Sequence, residues 1–131
     1  MAKYVYPAIF TPEDGAYSVL FPDLDGCYTC GDDLTDAMYM ANDVLAFTLY
    51  DYEKNGRAIP KPSSSKDIET EGDAFVSYVM CDTLEYQKTN NNKAVKKTLS
   101  IPEWLNEMAT DANINFSQVL QNALKEQLHV Q

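Results

Sequence analysis

The residues of this chain that could do hydrolytic chemistry are a group of aspartates near its start. Carboxylates in such numbers could hold the two metal ions of a nuclease, provided that they converge within a few ångströms. The available acids are Asp14, Asp23, Asp25, Asp32, Asp33 and Asp36. Most of them fall in predicted turns or at a predicted helix start, where Asp is the expected turn or cap residue. We therefore expect them to serve local structure, with no catalytic residue and no metal site.

Three cysteines and one histidine are the other candidates for chemistry. Cys27 and Cys30 have the spacing of half a zinc site or of a redox pair, but no second pair follows, and on a strand positions three apart face opposite sides. His129 lies near the C-terminus, and the sequence offers no base or nucleophile as its catalytic partner. The sequence therefore predicts no cofactor, and three cysteines fit a reducing compartment better than a disulfide framework.

No apolar run approaches the roughly 18 to 20 residues of a membrane span, and the first residues lack the apolar core of a signal peptide. We expect a cytoplasmic protein that does not engage a membrane.

Charge divides the chain into two parts. The 131 residues carry a net charge of -10, but residues 1–87 hold five Lys or Arg against sixteen Asp or Glu, a balance of -11. Residues 88–131 hold five Lys against four acids, a balance of +1. We predict an acidic body over residues 1–87, a linker over 88–94 and a basic arm over 95–131.

The body is predicted to be an α+β unit with the order strand-strand-strand-helix-strand. The turn sequences at residues 11–15 and 22–26 indicate an antiparallel meander, and Pro7 suggests an edge position or a bulge for the first strand. The predicted strands cover residues 4–10, 16–21, 27–30 and 74–82.

The predicted helix follows the third strand. Asp33 is a good N-cap, Asp36 stands at the capping-box position, and Gly56 suits the left-handed position after the helix ends. One stripe is apolar at helical spacing: Leu34, Ala37, Met38, Ala41, Leu45, Thr48, Leu49 and Tyr52. The opposite side combines aromatic residues with acids: Tyr39, Met40, Phe47 and Tyr50 with Asp36 and Asp43. That side either lies under the segment that follows or meets a partner.

The basic arm begins with a predicted strand over residues 95–101. Its alternation places Leu99 and Ile101 on one side and Lys96, Thr98 and Ser100 on the other. Two short amphipathic helices follow, the first after Pro102 and the second capped by Asn115. A unit this small cannot bury a sufficient core alone, so we expect an intertwined homodimer.

Two such strands paired across a two-fold axis form a ribbon that fits the major groove of DNA. The base edges or phosphates would then be contacted by Lys96, Thr98 and Ser100. The DNA backbone would lie near Lys93 and Lys97. The N–H groups of Phe116 and Ser117 at the start of the second helix would bind a phosphate. A purely structural dimerisation module is the alternative.

Residues 96–102 and 115–120 of the arm resemble ribbon-helix-helix repressors. The body adds YPAIF at 6–10, GAYSV at 15–19, FPDLDGC at 21–27, GD at 31–32 and IPKPS at 59–63. Over nearly the whole chain, these motifs together resemble the HicB antitoxins. The resemblance implies a partial ribonuclease-H-like body that binds and blocks a small HicA-type messenger-RNA interferase, and a tail that represses the operon by binding operator DNA.

The surface that would bind the toxin is less defined by the sequence than the DNA-binding arm. Charge and expected exposure give the candidates Asp23, Asp25, Tyr28, Asp32, Tyr39 and Phe47. Two other functions stay open: a stand-alone ribbon-helix-helix repressor whose acidic domain senses a ligand or oligomerises, and a metal-dependent nuclease. The sequence also leaves open whether dimers pair into tetramers.

Overall fold

The structure is a computed structural model and describes residues 2–131. The chain forms two compact units, Met1–Lys93 and Ala94–Gln131. The first unit contains β1 (Lys3–Glu13), β2 (Ala16–Leu20), β3 (Tyr28–Gly31), α1 (Leu34–Lys54), a short 3-10 turn (Ser65–Asp67), β4 (Phe75–Asp82) and α2 (Thr83–Asn90). The second contains α3 (Glu103–Asp111) and α4 (Phe116–Leu128). The class is therefore α+β, as predicted, and the body follows the expected order with α2 added.

The four strands form one antiparallel sheet in the order β3-β2-β1-β4. Since β1 is a central strand, the edge position predicted from Pro7 is wrong. The register explains why proline is nevertheless tolerated there. β4 pairs with residues 3–10 of β1 and β2 with residues 9–13, so only Ile9 and Phe10 have neighbours on both sides. Pro7 and Pro12 lie where one side of β1 is open, and a residue without an N–H can be accommodated there.

A two-residue turn connects β1 and β2, where the sequence predicted a longer one. Asp14 and Gly15 both have positive φ, 50° and 86°, as the favoured hairpin turns require. Pro12 and Glu13 can therefore stay in the sheet, opposite Tyr17 and Ala16.

The core lies between one face of the sheet and α1. Strand residues such as Tyr6, Phe10 and Val79 are buried together with the apolar stripe of α1. Of the predicted stripe, Leu34 and Met38 at the start of the helix stay exposed, whereas Ala46, outside it, is buried. Five positions of the predicted stripe are buried: Ala37, Ala41, Leu45, Leu49 and Tyr52.

The start of α1 is capped almost as predicted. The Asp33 carboxylate accepts the N–H of Asp36 at 2.8 Å, and the Asp36 carboxylate accepts the N–H of Asp32 at 2.9 Å. In a capping box the Asp36 side chain would accept the N–H of the cap residue Asp33, but here it accepts the N–H of the residue before it, Asp32. Gly56 follows the helix with a φ of 67°, the left-handed value expected of it.

Helix α2 covers part of the segment that the sequence predicted to be a linker. Asp82 caps it, accepting the N–H groups of Leu84 at 3.0 Å and Glu85 at 3.4 Å. The Tyr86 ring contacts Phe47 and Tyr50 of α1, with centroids 6.4 and 5.7 Å apart. Residues 88–90 are therefore helical and belong to the first unit. A polar composition concealed this helix, because it is attached to the body by the Tyr86 ring and by the buried Thr83, which is hydrogen-bonded to the Ala2 backbone, and not by an apolar stripe.

In the second unit, α3 and α4 lie where the periodicity predicts them. The Asn115 side chain accepts the N–H of Gln118 at 3.1 Å, and Asn113 has a positive φ in the break between the helices. His129 ends α4 in the left-handed conformation. Residues 95–101 form no strand within the single chain. A ribbon strand needs a partner strand, so the predicted pairing belongs to a dimer and stays a prediction.

Candidate functional site

The candidate DNA-binding side chains are all exposed in the second unit and the segment before it. Among residues 2–131, Lys93, Lys96 and Lys97 form no ion pair, and Thr98 and Ser100 are solvent-exposed. At the start of α4 the Asn115 side chain takes the N–H of Gln118. The N–H groups of Phe116 and Ser117 have no acceptor within the helix, as at any helix start, and could meet an anion.

The apolar side chains of the second unit are left uncovered. Neither α3 nor α4 contains a buried residue. Val95 is 83% exposed and Trp104 63%, although both are large and apolar. Val95, Leu99, Leu120 and Leu124 border an open hollow. Monomeric proteins rarely leave such a continuous apolar surface in water, so this unit has the chemistry of one half of an interface.

The six candidate toxin-binding residues do not form one site. Asp23 is tied to Ser63, whose backbone N–H donates to one carboxylate oxygen at 3.0 Å and whose hydroxyl donates to the other. This contact joins the FPDLDGC and IPKPS motifs through two residues that are 40 positions apart. Asp25 is exposed in the same turn as Asp23, and Asp32 is exposed beside the start of α1.

Tyr28 lies on the sheet face away from α1. The register aligns it with Leu20, Ile9 and Val76 in a row that crosses all four strands. Tyr28 is 68% exposed. It is therefore on the opposite side of the body from Tyr39 and Phe47, which project from the outer side of α1.

A groove between α1 and α2 brings aromatic and acidic side chains together. Its α1 side holds Tyr39, 77% exposed, with the exposed Asp43 four residues on and Ala46 in the floor. Its α2 side holds Tyr86 and Glu85. Burial and then the nearby Asp43 carboxylate raise the pKa of Tyr86 above its ordinary value. Sequence reasoning found the α1 half of this groove and missed the α2 half, because α2 has no apolar periodicity that would signal it.

The cysteines lie in different environments. Cys27 is buried and accepts a hydrogen bond from the Thr48 hydroxyl at 3.4 Å, whereas Cys30 is exposed. Burial raises the pKa of Cys27, and it raises that of Cys81 to about 12. Both buried thiols are held in the protonated, unreactive form.

Four of the six aspartates near the start of the chain have local structural roles. Asp14 is in a hairpin turn, Asp23 binds Ser63, and Asp33 and Asp36 cap α1. In the part of the chain that the structure describes, no three Asp, Glu, His or Cys side chains are arranged to hold a metal ion. Of the helices formed by residues 2–131, none has the length and apolar character needed to cross a membrane.

Comparison with known proteins defines the class. Residues 6–125 match the family model described as HicB_like antitoxin of bacterial toxin-antitoxin system. The chain is 26% identical to Antitoxin HicB 2 of Photorhabdus laumondii subsp. laumondii over 121 residues, covering 91% of this chain and 87% of the relative.

The fold is also found in solved structures. A chain of a toxin-antitoxin complex from Streptococcus pneumoniae is similar at a TM-score of 0.61 and 28% identity, covering 95% of this chain and 99% of that one. A chain of the HicA3 and HicB3 toxin-antitoxin complex is similar at a TM-score of 0.51 and 22% identity, covering 60% of this chain and 99% of that one.

The class of protein is thus an antitoxin of a bacterial toxin-antitoxin system, built as an α+β body followed by a helical unit. The chain belongs to the HicB-like antitoxin family.

Proposed function

We propose that the chain is a two-function antitoxin. The body binds and neutralises a small toxin of the HicA type, and the second unit forms a ribbon-helix-helix homodimer that binds operator DNA and represses the operon. The observation that carries this proposal is the family match, which covers residues 6–125 and so includes parts of both units. The role is one of binding, without a catalytic cycle.

The charge of the body supports its proposed role in toxin binding. An RNA-binding toxin must present Lys and Arg to phosphates, and the -11 body is suited to hold such a surface while being poorly suited to bind RNA itself. Four of the six candidate aspartates of a ribonuclease-H-like nuclease already serve a turn, a helix cap or the contact with Ser63. The body therefore serves better as a binding surface than as a nuclease.

The toxin-binding function is tested by an affinity pull-down from the native operon, with mass spectrometry of the co-purifying proteins. We expect a small basic protein in stoichiometric amount that is toxic when expressed alone and harmless when expressed with this chain. A chain that purifies without a partner would instead favour a stand-alone repressor with a ligand-sensing or oligomerising body. Cleavage of RNA with Mg²⁺ or Mn²⁺, lost on aspartate substitution, would favour a nuclease.

The uncovered apolar side chains of residues 94–131 support the homodimer, because pairing two copies would remove them from water. Dimerisation would also supply the partner strand that residues 95–101 lack in the single chain. The paired strands would present Lys96, Thr98 and Ser100 to the major groove. Lys93, Lys97 and the N–H groups of Phe116 and Ser117 would then contact phosphates.

The Lys96→Ala variant tests the proposed reading face. The substitution removes one cation from each chain of the dimer, so it should weaken operator affinity and lower the slope of affinity against salt by about 2 on a logarithmic scale. Toxin binding should be unchanged. Gel-shift titrations at several salt concentrations measure both quantities, with Lys61→Ala in the body as the matched control. An unaltered affinity and slope for Lys96→Ala would show that this side chain does not contact DNA.

A further inference from the structure

The groove between α1 and α2 brings aromatic rings and carboxylates together at the surface of the body. It encloses about 440 Å³, which is room for a long side chain. Tyr39 and Tyr86 supply ring faces, and Asp43, Asp82 and Glu85 supply acids.

The carboxylates of this groove differ in whether they already form hydrogen bonds or ion pairs within the chain. Asp82 caps α2, and Glu85 forms an exposed ion pair with Lys88 at 3.4 Å. Asp43, by contrast, has neither a hydrogen bond nor an ion pair to any of residues 2–131. It lies close enough to the Tyr86 hydroxyl to raise the pKa of that group. The Asp43 carboxylate therefore lies beside the Tyr86 ring, and no cation among residues 2–131 forms an ion pair with it.

An arginine already stacks on an aromatic ring at the other end of α1. At the far end of α1, the Arg57 guanidinium stacks over the Tyr52 ring, 4.0 Å from its centroid. Arginine combines a flat face that stacks on aromatic rings with a fork of donors that fits a carboxylate. A ring and a carboxylate side by side are thus complementary to a guanidinium group more than to a compact ammonium or an apolar side chain.

We propose that the α1–α2 groove binds an arginine side chain of the toxin, stacked between Tyr39 and Tyr86 and paired with Asp43. This inference rests on the proposed antitoxin function and adds to it the site and the chemistry of contact. A second copy of the body is a poor occupant, because each body carries a balance of -11. An RNA-binding toxin offers the opposite charge, and engaging one of its arginines here would withdraw that side chain from RNA.

The test compares full-length variants for affinity to the toxin that co-purifies with the wild-type chain, measured by titration calorimetry at low and moderate salt. Asp43→Asn and Tyr39→Ala should each weaken toxin binding about tenfold, as expected for an anchor contact. Asp43→Asn should also reduce the salt dependence. Both side chains are exposed, so the melting temperature should not fall, and operator binding should be unchanged.

Matched controls separate this site from the other candidates. Glu71→Gln removes one exposed negative charge from the loop before β4 and should bind toxin like the wild type. Tyr28→Ala and Asp25→Asn probe the outer sheet face and the β2–β3 turn. Full-strength toxin binding by both groove variants would overturn the groove assignment while leaving the antitoxin function intact, as would a change in oligomeric state without loss of toxin affinity. A wild-type chain that binds no toxin would overturn both.

Discussion

At the scale of single residues, Gly31 decides how closely the helix approaches the sheet. A Cβ at this position would lie 2.3 Å from the Ala37 backbone nitrogen and 2.5 Å from its Cα. Both atoms belong to the backbone of α1, so neither can move aside without shifting the helix. The absence of a side chain at Gly31 is therefore what allows α1 to pack directly on β3.

We predict that Gly31→Ala destabilises the body by about 3 kcal/mol, the upper end of the usual cost of overpacking. Urea unfolding followed by circular dichroism measures this. Gly72→Ala is the control: a Cβ there would meet nothing within 4 Å, and only its positive φ adds strain, which should cost about 1 kcal/mol. Equal losses of stability in the two variants would contradict the proposed clash.

The partly buried Tyr4 hydroxyl on β1 and the buried thiol of Cys81, its partner on β4, make the body sensitive to alkaline pH. Burial, followed by the hydrogen bond to Glu53, raises the pKa of Tyr4 from 10.0 to about 12. Burial is also the largest cause that raises the pKa of Cys81 from 9.0 to about 12. Unfolding would let both groups lose their protons at their ordinary pKa. Their contribution to stability is therefore fully present below pH 9 and is lost as the pH rises toward 12.

We expect the melting temperature to fall steadily between pH 9 and 12. Differential scanning calorimetry across this range is the measurement. Cys81→Ala should start from a lower melting temperature, because it removes a packed group, but its decline with pH should be shallower. Cys30→Ala, which removes an exposed thiol, should leave the slope unchanged. A decline as steep in Cys81→Ala as in the wild type would exclude Cys81 as a cause.

At the scale of elements, the segment between α1 and β4 is held to the sheet by side chains. The Tyr6 hydroxyl donates to the Pro60 carbonyl, Ser63 donates to Asp23, and the Ser65 N–H donates to the Tyr78 hydroxyl at 2.9 Å. Residues 59–65, here the anchored loop, thus contact β1, the β2–β3 turn and β4 without joining the sheet. Asp23 has a structural role in this loop that its charge alone does not reveal.

We predict that Asp23→Ala loosens the anchored loop at Ser63 and costs about 1 to 2 kcal/mol of folding stability, as expected for losing hydrogen bonds to a charged group. Hydrogen exchange of residues 59–67 should become faster, while exchange in α1 stays slow. Asp25→Ala, in the same turn and without such contacts, is the control. If toxin affinity fell with no change in loop exchange, Asp23 would be a contact residue instead of an anchor.

At the scale of the whole molecule, the two units differ in how they satisfy their apolar residues. The first unit buries a core of its own between the sheet and α1. The second leaves Leu99, Met108, Val119 and Leu128 largely exposed. The first should therefore be stable at any concentration, whereas the second should depend on pairing with another chain.

Removing residues 94–131 should give a monomer that keeps the melting temperature of the body and binds no operator DNA. The full chain should be a dimer in light scattering, and the unfolding of its second unit should shift to higher temperature as the concentration rises. The helices of that unit offer a circular dichroism signal for this measurement. A full chain that remains monomeric would contradict the ribbon-helix-helix dimer.

The sequence by itself determined the strands, the main helix and the motifs of the family. Their signals are local: Asp33 as a cap, Gly56 after the helix, Asp-Gly in the hairpin turn and the apolar stripe of α1. Charge likewise divided the acidic body from the basic arm. The caps, the turn and the stripe depend on residues close together in the sequence, and the motifs and the charge balance depend only on residue types, so a single pass along the chain can find them.

Only the tertiary structure decided what depends on contacts between distant residues. The central position of β1, the link from Asp23 to Ser63 and the helix at 83–90 all depend on partners far away in the sequence. The groove follows from the last of these, because Tyr86 completes a surface begun by Tyr39, 47 residues earlier in the chain, and Asp43, 43 residues earlier. Local propensity carries no information about which distant side chain completes a packing contact, and that is the physical reason why the sequence left the toxin-binding surface divided among several candidates.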